Sequence, residues 1–254
     1  MRTIHDHRLD RIERYYDVVP RASASAEPCG PFTIFVADAG TGWQFYARPE
    51  QGGSRRFAAA DVERVLARQQ QLGVPRAIEW VEQMSPELLP AVVAAGYRPQ
   101  RYPLLALTTL GEVEPDPRAR TLHPTEPHLA LAVGAVSAGF HGVDDVEPGD
   151  TGIQPQLIER GDLVVVASFE GSRLCGAGSA APRDNVAELM GIAVPPGHRH
   201  RGHGTAITRS LVSACRDRGV ELVFLSAGSD AAAGIYRRVG FVDVGTACIL
   251  QVAD

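Results

Sequence analysis

The apolar positions of the C-terminal half switch repeatedly between two periods. Residues 126–138 repeat at helical spacing. Residues 163–169 form a β-branched run that reads as a strand, Glu170-Gly171 is a hairpin signal, and 173–180 reads as the partner strand. Residues 186–194 form the next strand. Over 205–218 the apolar residues Ile207, Leu211, Val212 and Cys215 line one helical face, and Gly219 follows as a C-cap. Residues 222–226 read as a short buried strand and 231–239 as a final helix closing on Gly240. Phe241 leads into a last strand ending near Gln251. Between these elements, 139–161 is loop-like, with Gly139, Gly142, Pro148, Gly149, Gly152 and Pro155, and a helical turn over 154–159.

The N-terminal half carries an echo of this order. Residues 60–71 read as a helix, 77–81 as a strand, 85–95 as a helix with Ser85 as N-cap and Pro86 at its first position, and 103–108 as a strand. Gly73 and Gly96 are spaced much as Gly219 and Gly240 are. The favoured reading is a duplicated, degenerate repeat. The acidic, proline-rich stretch 111–117 reads as a linker, followed by a short edge strand over 118–122. It divides the chain into domains at 1–110 and 118–254, each of ordinary size.

Composition changes this picture little. The 254 residues are 44% hydrophobic and 22% charged, as in an ordinary globular protein. A net charge of −5 argues against a nucleic-acid partner. Every basic side chain is Arg. Cys29, Cys175, Cys215 and Cys248 are far apart and form no C-x-x-C, which reads as free thiols in a reducing cytosol. Residues 1–14 are charged and lack the apolar core of a signal peptide, and no apolar run approaches the ~20 residues that span a membrane. A cytoplasmic protein with no membrane partner is expected. Trp43, Tyr46 and Trp80 read as N-terminal core, and His5, His7, His123 and His128 have no partner visible in sequence.

Candidate chemistry concentrates in the turn before the helix at 205–218. Arg199-His200-Arg201-Gly202-His203-Gly204 fits R-x-x-G-x-G between a strand and a helix. A helix N-terminus presents unpaired amides to a phosphate group. Gly202 and Gly204 remove side chains that block a close approach, and they permit the left-handed backbone of an anion nest. Arg199 and Arg201 add charge, and Thr205 opens the helix. His198, His200 and His203 also invite a metal reading. No Cys or carboxylate lies near them in sequence to complete a tetrahedral set, so no metal is expected. The N-terminal echo has lost these features: Gln51 to Arg56 is its nearest approach to the turn, and Val92 stands where the C-terminal helix has Tyr236.

With Ile235-Tyr236-Arg237-Arg238-Val239-Gly240-Phe241 at the end of the last helix, this unit resembles the acyl-CoA-binding core of the GNAT superfamily of N-acyltransferases. The resemblance implies an α/β fold of two GNAT-like domains, each a mixed, mostly antiparallel sheet flanked by helices, with the active site in the second. It implies acetyl-CoA as cosubstrate, bound by His200, His203 and the other turn residues together with the backbone of Ile192, Ala193 and Val194. The strands beside this backbone are expected to splay, with an amide near Ile192 facing the thioester carbonyl. Tyr236 is implied as the proton donor to the leaving thiolate, and Glu188 as the base for an attacking amine, directly or through water. Ser229 stands where the family often has Asn and is the remaining cofactor-side candidate. The acidic loop around His141, Asp144, Asp145 and Glu147 borders the acceptor region in this fold and suits a cationic amine. The expected reaction is direct attack in a ternary complex on a small-molecule primary amine, by a monomer or homodimer. The alternative is an inactive acyl-CoA-binding sensor or scaffold.

Overall fold

The computed structural model describes residues 6–38, 46–52 and 56–252. His5, Trp43 and the middle of the Gln51 to Arg56 stretch lie outside them. In chain order the elements are α1 (His7–Arg21), β1 (Ala24–Cys29), β2 (Phe32–Ala37), β3 (Ala47–Pro49), α2 (Ala59–Leu72), β4 (Ala77–Val81), α3 (Leu88–Ala94), β5 (Gln100–Leu107), β6 (Ala119–Thr121), α4 (His128–His141), α5 (Gln154–Arg160), β7 (Val164–Glu170), β8 (Arg173–Arg183), β9 (Val186–Ala193), α6 (His203–Arg216), β10 (Leu222–Ser226), α7 (Asp230–Val239) and β11 (Val242–Gln251). Short 3-10 turns lie at Leu110–Glu112 and Pro196–His198.

The chain forms two compact units. The first comprises Met1–Leu104, Ser226–Ser229 and Asp243–Asp254, and the second Leu105–Leu225 and Asp230–Val242. In the first, the strand order is β1-β2-β3-β4-β11. Only the β3–β4 contact is parallel. Helix α1 starts at Asp6, whose carboxylate accepts the Arg8 amide, and buries Leu9, Ile12 and Tyr15. Helix α2 buries Val62, Val65 and Leu66, and its Gln69 side chain donates to the Ala77 carbonyl at 2.8 Å. These residues share a core with Phe32, Ile34, Ile78, Trp80, Cys248 and Leu250.

Two features differ from the sequence expectation. Helix α3 begins at Leu88, not at residue 85, because turn hydrogen bonds from Met84 and Ser85 to the Val81 carbonyl hold that segment outside the helix. The last strand, expected within 118–254, pairs with β4 from Ala247↔Val81 to Gln251↔Ala77. Cys248 and Leu250 bury their side chains in the first unit's core, and this places β11 there.

In the second unit the order is β10-β9-β8-β7-β6, with β9–β10 parallel and the other pairs antiparallel. Helix α4 packs on β8 and β9, and α6 on β6, β7 and β8. The core gathers Leu129, Ala132 and Ala135 of α4, Leu157 of α5, and Val165, Ala167 and Ala177 of the strands. Both units thus have the mixed, mostly antiparallel sheet with flanking helices that the resemblance implies. Among the described residues, no helix is long and apolar enough to cross a membrane.

Candidate active site

Strands β9 and β10 form a fork. Their parallel pairing runs from Leu222↔Val186 to Phe224↔Glu188 and stops there. Beyond Glu188, β9 keeps β8 on its other edge but not in simple register. Ala177 pairs with Ala193 and Ser179 with Met190, so β9 carries one extra residue between these points. The extra residue is a bulge. Gly191 supplies it with φ of +59°, a left-handed conformation that suits glycine. A bulge breaks the ladder and turns backbone amides at Ile192 out of regular pairing. Val194 lies one residue past the end of β9.

Small residues let other elements crowd this segment. A Cβ on Gly139 of α4 would stand 2.8 Å from the Ala193 Cβ and 3.0 Å from the Val194 nitrogen. On β8, a Cβ at Gly176 would meet the Ala193 carbonyl at 2.8 Å, and one at Gly178 would meet Ile192 Cγ1 at 2.7 Å. Glycine at 139, 176 and 178 is therefore a packing requirement of the bulged strand. Gly176 and Gly178 were not singled out from sequence, because they stand within an ordinary strand pattern; Gly139 reads in the sequence as the start of the loop 139–161, whereas α4 continues through it to His141.

The basic turn follows. Gly202 is the N-cap of α6, with φ of +87°. The helix starts two residues earlier than expected, at His203, so Gly204 and Thr205 occupy its first turn. Its first internal bond runs from the Ala206 amide to the Gly202 carbonyl. The amides of His203, Gly204 and Thr205 precede any intrahelical acceptor. A Cβ on Gly204 would meet nothing closer than Ile235 Cδ1 at 3.8 Å, an ordinary contact. The chain's own packing does not demand glycine there. His200 adopts φ of +62°, and a histidine tolerates this better than a branched residue would.

The two turn arginines differ. Arg199 was expected beside phosphates, but its Nε donates to the Val194 carbonyl at 2.9 Å and its Nη2 to the Gly139 carbonyl at 2.7 Å. It ties the turn to the bulged strand and to α4. Arg201 is exposed, with its guanidinium 3.3 Å from the Glu170 carboxylate. Arg118, unmarked in the sequence, donates to the Arg201 carbonyl at 2.9 Å and lies against Gly202. Asp144, from the acidic loop, accepts the Gly197 amide and anchors the preceding 3-10 turn. His141 is exposed and held by the Ser137 carbonyl.

Glu188 is the last residue of β9 paired on both edges, with Ala181 and Phe224, and so stands at the crotch of the fork. Tyr236 lies on α7, half-buried, with its ring 6.1 Å from that of Phe241. Burial pushes its phenol up to about 12, so it keeps its proton at neutral pH. Ser229 is exposed and immediately precedes α7; it is assigned to the first unit, not to the unit that holds the turn.

The expectation that no Cys or carboxylate accompanies the turn histidines does not survive folding. The β7–β8 hairpin brings Glu170 and Cys175 to His198 and His203, and one potential ligand atom from each of the four lies within 4.8 Å of the others. His203 Nε2 is 3.1 Å from the Glu170 carboxylate, and His198 Nδ1 is 4.0 Å from it.

Residues 137–241, which span the bulged strand, the turn and α7, match the family model described as Acetyltransferase (GNAT) family. Among solved structures, the chain is similar to a GCN5-related N-acetyltransferase from Kribbella flavida, with 25% identity, a TM-score of 0.73 and coverage of 97% of this chain and 96% of that one. A protein of the GNAT family from Novosphingobium aromaticivorans shares the fold at 21% identity and TM-score 0.61, covering 98% of this chain and 100% of its own. A tandem GNAT protein from the clavulanic acid biosynthesis pathway does so at 15% identity and TM-score 0.52, covering 88% and 79%. No curated protein matches the chain. Residues 137–241 are a GNAT acetyltransferase domain, which makes the protein an acyl-CoA N-acyltransferase.

Proposed function

We propose that the protein transfers the acetyl group of acetyl-CoA to the primary amine of a small molecule, by direct attack while both are bound. The observation that carries this reading is the fork between β9 and β10, with a bulge on one arm and the N-terminus of α6 following it. The amides of His203, Gly204 and Thr205 would hold the pyrophosphate, with Gly202 and the left-handed His200 shaping the loop and Arg201 contributing charge. Gly204 fits this role, because packing leaves space where a ligand needs access. Arg199 acts indirectly, by fixing the turn to Val194 and Gly139.

The cosubstrate supplies an activated thioester. The chain's residues bind it and manage protons. The unpaired edge at Ile192, Ala193 and Val194 would take the pantetheine arm as an added strand. An amide beside the bulge would stabilise negative charge on the carbonyl oxygen, a donor worth about 3 kcal/mol. Tyr236, held protonated by burial, is suited to donate a proton to the departing sulfur and unsuited to act as a base. Glu188, at the crotch of the fork, is the proposed acceptor of the amine proton, directly or through water. The exposed Asp145 and Glu147, near the exposed Phe140 and Val143, suit an amine that is cationic before it reacts and has an apolar body. We further propose that the first unit descends from a second copy of the same fold that lost its phosphate turn. A tandem GNAT protein that shares the fold over 88% of this chain supports this.

The test is calorimetry with acetyl-CoA on the wild type and on Gly202→Glu. Micromolar binding by the wild type, abolished by the substitution, is expected, followed by turnover with a panel of amines. No binding by folded wild-type protein would refute the acetyl-CoA reading. Tight binding without turnover on any amine would favour a sensor or scaffold.

A further inference from the structure

We propose that Glu170, Cys175, His198 and His203 form a binding site for one Zn2+ ion, and that this ion pins the phosphate-binding turn to the β7–β8 hairpin. The four residues come from four places: the end of β7, the start of β8, the 3-10 turn at Pro196–His198 and the first residue of α6. In sequence they read E-x4-C-x22-H-x4-H, two short pairs with a long gap between them. The fold closes that gap, leaving ligand atoms of all four within 4.8 Å of one another.

The donors favour zinc. Two imidazoles, a thiolate and a carboxylate are the borderline set that Zn2+ takes in tetrahedral coordination, whereas Mg2+ and Ca2+ prefer all-oxygen shells. Ligand bonds of about 2.0–2.3 Å keep tetrahedral donors roughly 3.5 Å apart, so closure needs movements of about 1 Å in side chains alone. Charge balances as well: a thiolate and a carboxylate neutralise the divalent ion.

Burial makes the site more than a surface cluster. Cys175 is fully buried, and His203 and His198 are 1% and 7% exposed. The Nδ1 of His198 is buried without a hydrogen-bond partner, a costly arrangement that a metal ion would relieve, and His203 presents its Nε2 to the Glu170 carboxylate at 3.1 Å. The Cys175 Sγ donates to the Arg173 carbonyl at 3.4 Å. Glu170 is exposed and forms the mouth of the site. With four protein ligands and no open position, the role is structural. Holding His203, the first residue of α6, would fix the helix terminus whose amides face the phosphates. The metal site does not depend on the acyl-transfer reading; only its effect on phosphate binding rests on that reading.

The test uses full-length protein without a histidine tag, expressed with added zinc and desalted. Elemental analysis is expected to find one zinc per chain, lost in Cys175→Ala. Cobalt added to zinc-free protein is expected to give a tetrahedral spectrum with a thiolate charge-transfer band, absent in Cys175→Ser. Because Glu170 is exposed, Glu170→Gln should fold normally and weaken zinc binding at least about tenfold. This variant keeps the test decisive if a buried substitution fails to fold. Folded wild type with no bound zinc and no thiolate–cobalt band, or a Glu170→Gln protein that binds zinc as tightly as wild type, would overturn the assignment. Metal content and spectra are read without any acyl donor, so failure of the acetyl-transfer proposal leaves this result untouched.

Discussion

Tyr236 depends on burial for its protonation. Burial pushes its phenol up to about 12, so loss of activity at alkaline pH should not track a group near 10. Tyr236→Phe is expected to lower kcat about 100-fold with little change in KM for acetyl-CoA, measured by steady-state assay. An equal rise in KM would instead assign the residue to binding. The sequence marked Tyr236 through its local motif, and it marked Gly202 and Gly204 the same way. It did not reveal the carbonyl partners of Arg199, because a guanidinium can reach carbonyls of Val194 and of Gly139, 60 residues away, that no spacing rule connects.

Among the elements, the bulged β9 is the most sensitive to substitution. Gly191→Ala places a side chain at φ of +59° and is expected to destabilise by about 1 kcal/mol, with a larger proportional loss of kcat than of binding. Gly139→Val drives a branched side chain into Ala193 and Val194, and a loss of about 1–3 kcal/mol by denaturant melting is expected. No measurable destabilisation would mean that α4 can shift away from β9 freely. The strand itself was legible, as the strand expected over 186–194. The bulge was not, since one extra residue is visible only against the register of β8.

At the scale of the whole molecule, β11 separates the compact units from the sequence boundaries. Residues 1–110 expressed alone lack the strand that pairs with β4 and covers Ile78 and Trp80. That fragment is expected to aggregate, and recovery of a soluble, cooperatively melting fragment would show that β11 is dispensable. Alkaline pH is a second global stress. Burial raises Cys215 and Tyr236 to about 12 and Cys248 to about 11. In the unfolded chain these groups ionise near 9 and 10. The folded state therefore holds more protons between about pH 9 and 12, and stability falls as pH rises through that window. A melting temperature constant from pH 8 to 11 would contradict this.

Sequence alone determined the features that need only neighbours along the chain. These are the alternation of strand and helix in the second half, the glycine-bearing turn before α6, and the tyrosine closing α7. Periodicity and local backbone freedom are properties of short segments, and short segments state them directly. Tertiary structure decided what depends on partners distant in sequence. It chose the sheet that receives β11, split β9 from β10 beyond Glu188, and brought Glu170 and Cys175 to the histidines of the turn. Each of these depends on packing and register against elements distant in the chain, a long-range condition that no local pattern encodes.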